Sequence, residues 1–142
     1  MGNKRLAMLR QHIYIPRYNW EVVVYYETAS RNAGAILAEL DSIGVDNDTF
    51  DKAADNLVAG FLDTGLTYTN MDERVSVIVL SKTSSQSEFA NTWFDELLHC
   101  ANHIAKANGL DPMGEPIAYV GGELARSMQP IAARLMCPTC NH

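Results

Sequence analysis

The feature that most constrains the fold of this chain is a pair of β-branched and aromatic runs separated by a turn. His12-Ile13-Tyr14-Ile15 and Trp20-Glu21-Val22-Val23-Val24-Tyr25-Tyr26 flank Pro16-Arg17-Tyr18-Asn19. Branched and ring-bearing side chains suit a pleated surface, while Pro and Asn favour turns, so the segment reads as a β-hairpin. Most of its aromatic residues, Tyr14, Tyr18, Trp20, Tyr25 and Tyr26, are expected in the core or in cross-strand pairs. From residue 29 to 43 the period becomes helical, with Ala33, Ile36, Leu37 and Leu40 on one stripe and Gly44 as the stop. Phe50, Ala54, Leu57, Val58 and Phe61 predict a second helix over 49–62. Asp46 and Asp48 fall near its start, where acidic groups suit the helix dipole. With Asp51 they also hint at calcium, but the glycine and distal glutamate of an EF-hand loop are missing.

Strand character returns over 65–69 and 75–80, joined by residues 70–74 as a second hairpin. Ser84 to Ser87 form a small-polar capping segment for a helix over 87–108 that ends at Gly109. A last helix is expected over 115–136, with Pro116 in its first turn and Pro130 kinking or splitting it. The order β-β-α-α-β-β-α-α predicts an α+β domain: a small, mostly antiparallel sheet with helices on one side.

The 142 residues suit a single domain. Eleven basic residues against seventeen acidic ones give a net charge of −6, which argues against a nucleic-acid binder. No apolar run is long enough to span a bilayer, and Lys4, Arg5 and Arg10 are not followed by the apolar region of a signal peptide. Three cysteines without an export signal fit a reducing compartment, so a cytoplasmic protein without a disulfide framework is expected. Cys100 reads as a small core residue. Cys137-Pro138-Thr139-Cys140-Asn141-His142 offers half of a zinc site and no second Cys-x-x-Cys, so residues 137–142 read as a flexible tail.

The chemically informative segment is Trp93-Phe94-Asp95-Glu96-Leu97-Leu98-His99-Cys100-Ala101-Asn102-His103. At about 100° per residue, Trp93, Leu97, Leu98, Cys100 and Ala101 share one side of a helix. Asp95, Glu96, His99, Asn102, His103 and Lys106 share the other. Asp95, His99 and His103 follow at i, i+4 and i+8, a spacing that aims neighbouring ligands at one spot. A solvated polar face has the same pattern. The following helix adds Glu115, Tyr119, Gly122 and Arg126 on one stripe. Gly121 and Gly122 lower helix stability, and close approach of another backbone would be a reason to accept them. Two packed antiparallel helices would thus offer Asp95, His99 and a further candidate, His103, from the first and Glu115 from the second, enough for three ligands with a fourth metal position for water.

In these motifs the chain resembles the zincin metallopeptidases in their gluzincin-like form, with Asp95-Glu96-Leu97-Leu98-His99 one residue away from His-Glu-x-x-His. It is similar in particular to small zincin-like proteins of phages and mobile elements of gut Bacteroidetes. Those proteins share the first hairpin, an Asp-Thr-Gly-Leu-Thr-Tyr-like segment (Asp63 to Tyr68) and the Glu115 to Tyr119 helix start. The resemblance implies Zn²⁺ held by His99 and Glu115, with Asp95 at the place of the first histidine and Glu96 as general base. His103 is an alternative ligand, giving His99, His103 and Glu115. A peptide or protein substrate is implied. A second carboxylate ligand reduces the charge that lowers the pKa of zinc-bound water, so weak hydrolysis is expected. The alternative is a non-catalytic phage or mobile-element component with a degenerate site and an assembly partner.

Overall fold

A computed structural model of the protein describes residues 8–59, 65–111 and 113–136. The tail 137–142, with its Cys-x-x-Cys, lies outside the described residues, as do the expected end of the second helix at 60–62 and Asp63. The described residues form strands β1 (Leu9–Ile15), β2 (Trp20–Thr28), β3 (Leu66–Asn70) and β4 (Val75–Ser81). Their helices are α1 (Ala33–Ser42), α2 (Asn47–Ala59), α3 (Gln86–Ala107) and α4 (Glu115–Met136). The architecture is α+β. Both expected hairpins are present: β1 pairs antiparallel with β2, and β3 with β4. A single 3₁₀ turn, Pro16–Tyr18, joins the first pair.

The strand order β1-β2-β4-β3 sets β2 and β4 side by side and parallel at the centre, so the sheet is mixed. The helices do not lie on one side as the sequence suggested. They cover both faces, because β2 and β4 are apolar on both. Trp20, Val22, Val24 and Tyr26 of β2, with Ile78 and Leu80 of β4, face α3 and α4 through Leu97, Ile104, Leu124 and Met128. Val23 and Tyr25, with Val75, Val77 and Val79, face α1 and α2 through Ile36, Leu40, Ala53 and Leu57. Unbroken apolar runs are what strands buried on both faces require. Trp20, Tyr25 and Tyr26 are core residues as expected, whereas Tyr14 at the β1 edge is exposed.

Local chemistry explains the element ends. The Asn32 side chain accepts from the Ala29 N–H at 2.8 Å and holds a 3₁₀ turn, so α1 starts at Ala33 rather than at 29. Asp46 accepts from the Thr49 N–H at 2.7 Å, which holds its carboxyl below the usual range and makes it a helix-starting residue. Pro130 does not split α4: its position is exposed, and the Arg126 carbonyl it frees is on an exposed residue too. Gly109 takes a φ of +66°, the left-handed conformation expected after a helix.

The start of α3 fixes every residue of the polar segment. The Ser85 hydroxyl accepts from the Glu88 N–H at 3.1 Å, satisfying one of the free donors of the first turn. Replacing Ser85 with alanine is expected to lower stability by about 1 kcal/mol in urea denaturation, with an unchanged slope.

Candidate metal centre

The polar arc of α3 is divided in two by the sheet. Asp95 and His99 point outward, more than half exposed, with Asp95 Oδ1 and His99 Nε2 3.6 Å apart. Glu96 and His103 turn toward β3. Glu96 is only 5% exposed. The Thr67 hydroxyl donates to its Oε1 at 2.6 Å. Gly65 lies against the same side chain: a Cβ there would stand 2.5 Å from Glu96 Cγ, 2.9 Å from Thr92 Cγ2 and 3.0 Å from the Val79 carbonyl oxygen. Successive side chains of a strand alternate faces, so Gly65, Thr67 and Thr69 present one surface to α3, while Leu66 and Tyr68 pack into the other core.

Thr69 is the second contact of that surface. Its Oγ1 is 2.7 Å from His103 Nδ1 and 2.8 Å from Ser76 Oγ. Ser76 in turn accepts from the Trp20 indole N–H at 3.0 Å. This chain of polar contacts crosses three strands and leaves His103 only its Nε2 for any further partner. Burial, then the neighbouring His99 and Lys106, lowers the His103 pKa and so disfavours the charged ring. Burial raises the Glu96 pKa, opposed by the Thr67 hydrogen bond and by His99. Cys100 is fully buried and its thiol is pushed up to about 12, as suits a core residue.

Among the described residues, one group of three potential ligands converges: Asp95, Glu96 and His99, whose ligand atoms lie within 4.8 Å of one another. This group could hold a metal ion. The Asp95–His99 separation fits joint coordination, since ligands at 2.0–2.1 Å from a tetrahedral ion stand about 3.3 Å apart. Glu115 is exposed in the first turn of α4, and its carboxylate is not one of the converging atoms. Neither is His103, which Thr69 engages. Close backbone approach does not explain the α4 glycines: a Cβ at Gly121 would meet only Leu97 Cδ2 at an ordinary 3.7 Å, and one at Gly122 would meet nothing within 4 Å. Sequence reading missed the parts played by Gly65, Thr67 and Thr69. Their period-two spacing on a strand was the available signal.

No family model matches this chain, and no curated protein or solved structure matches it.

Two outcomes test this geometry. Gly65→Ala forces Glu96 Cγ or the β4 backbone to shift, and overpacking of this kind costs on the order of 1–3 kcal/mol, readable in urea denaturation. The raised Glu96 pKa means that the folded state binds its proton more tightly than the unfolded chain. Its contribution is therefore present below the ordinary glutamate range, near pH 4, and is lost as pH rises through the raised value. Stability of the parent relative to Glu96→Gln should fall across that window and level off above it. A flat difference between the two proteins would contradict the burial of this carboxyl.

Proposed function

We propose that this chain is a zincin-like metal-binding protein, with Asp95 and His99 holding Zn²⁺ and Glu96 positioned as a general base for peptide-bond hydrolysis. The observation that carries the reading is the division of labour within one turn of α3. Two outward ligand atoms stand at coordination spacing, and the carboxylate between them in sequence is buried and held in one orientation. Zn²⁺, when bound, supplies Lewis acidity at a carbonyl oxygen. Thr67 occupies one oxygen of Glu96, which leaves the other to take a proton from an attacking water. The raised pKa brings Glu96 closer to neutrality, where a general base exchanges protons most effectively. A peptide substrate suits the surroundings, because β3 is an edge strand of the sheet beside Glu96. An extended chain can join such an edge by main-chain hydrogen bonds.

Two features favour a second reading, in which the metal site serves assembly rather than catalysis. Asp95 stands where a neutral histidine would leave more positive charge on the metal, and Glu115 does not converge with the pair.

Titration calorimetry with Zn²⁺ on metal-free protein separates these outcomes. One equivalent should bind, and His99→Ala should abolish binding. Asp95→His, which restores His-Glu-x-x-His, should tighten it on the order of tenfold or more. Glu96→Gln should keep the metal and lower peptide hydrolysis by about 10²–10⁴-fold. Metal binding with no hydrolysis in either the parent or Asp95→His selects assembly. No binding at all overturns the proposal.

A further inference from the structure

The α4 stripe of Tyr119, Gly122 and Arg126 takes no part in the metal centre. It forms one wall of a groove of about 480 Å³, whose other wall is the β1–β2 turn with Arg17 and Tyr18. We propose that this groove is a binding site for a small aromatic carboxylate, independent of the metal site.

The floor is apolar, made by the buried side chains of Ile15 and Val120. The rim is aromatic: Tyr119 lines the groove and is 61% exposed, so its ring is open to a ligand. The lining carries two arginines, Arg17 and Arg126, against the single carboxylate of Glu123, a local excess of positive charge on a chain of net charge −6. Arg17 is exposed on the turn and makes no ion pair or hydrogen bond among the described residues. Arg126 is 3.6 Å from Glu123 in a long, exposed contact, so both guanidinium groups have donors to spare. A guanidinium fork matches the geometry of a planar carboxylate.

Gly122 is the remaining observation. Glycine inside a helix weakens it. No neighbour demands glycine there, since a Cβ would meet no atom within 4 Å. A longer side chain would project into the groove that Gly122 lines. The groove volume falls within the range of small-molecule sites, roughly 300–1,000 Å³, and a bicyclic anion fits that space. An apolar floor, an exposed ring and spare guanidinium donors together select a flat, apolar body that carries a planar anion.

The test is a titration of ¹⁵N-labelled full chain with 2-naphthoate, followed by amide chemical shifts. Saturable changes confined to residues 15, 17, 18 and 118–126 are expected. Arg17→Gln, which breaks no hydrogen bond or ion pair among the described residues, should weaken binding about tenfold. Gly122→Leu should abolish binding while keeping a dispersed spectrum and a Tm at or above that of the parent. The neutral analogue 2-naphthalenemethanol should bind at least about tenfold more weakly than the acid. Equal binding of the two probes, parent-like binding by Arg17→Gln, parent-like binding by a folded Gly122→Leu, or shifts centred on α3 and β3 would each overturn the assignment. Should Gly122→Leu fail to fold, Arg17→Gln and the neutral probe still decide.

Discussion

Apolar contacts hold α3 against the sheet, and they oblige the fold to accommodate one buried carboxylate. Removing a charged group from water is expensive unless its oxygens are matched by donors. Glu96 is accommodated because β3 and the residue just before it give it both space and a partner: Gly65 leaves room for its Cγ and Thr67 donates to its Oε1. Both come from the same face of a strand whose register with β4 is fixed over Leu66–Asn70. Slipping that strand by one residue would turn Leu66 and Tyr68 toward α3 and the threonines into the opposite core. The same register sets Thr69 beside His103 and Ser76, so the positions of Glu96 and of the half-buried His103 both depend on it.

Much of this organisation was legible from residue types alone. The two hairpins, a cap within Ser84 to Ser87, the stop at Gly109 and the burial of Cys100 follow from local propensity and spacing, which act over a few residues. Less legible were the features that depend on how distant elements meet. The parallel pairing of β2 with β4 joins segments more than fifty residues apart, and no local signal announces it. The placement of helices on both faces was present in Val22-Val23-Val24-Tyr25-Tyr26, where apolar residues do not alternate with polar ones as they do on a one-sided sheet. A hairpin reading absorbs that run without using the information.

The candidate site was half legible for a related reason. A helical projection groups Asp95, Glu96, His99 and His103 in one polar arc but does not say where the arc meets a neighbour. The edge of the sheet draws that line, leaving Asp95 and His99 in solvent, burying Glu96 and half-burying His103. The separation also explains why Glu115 does not converge with the pair. Ligand spacing along one helix is set by its own geometry, whereas ligand spacing between helices depends on the side chains that pack between them. Along the α3–α4 contact those are full-sized residues such as Leu97 and Leu124, and Gly121 is not pressed against another backbone.

The chemical identity of residue 96 bears directly on what the site is for. Packing alone asks for a side chain of this shape with an oxygen that accepts from Thr67, and glutamine meets both requirements without charge. A glutamate there makes the folded state less favourable wherever it is ionised, since burial raises its pKa. The charge is thus the one property of Glu96 that the fold does not use. Charged groups that folding opposes are a recurrent feature of sites whose chemistry needs them. Asp95 and His99 are different: both lie in solvent and contribute little to the fold, so replacing them should test metal binding with little structural consequence. Stability measured on residue 96 and metal affinity measured on residues 95 and 99 therefore report on separable properties. If Glu96→Gln gains stability above the raised pKa, the carboxylate is kept for something other than packing.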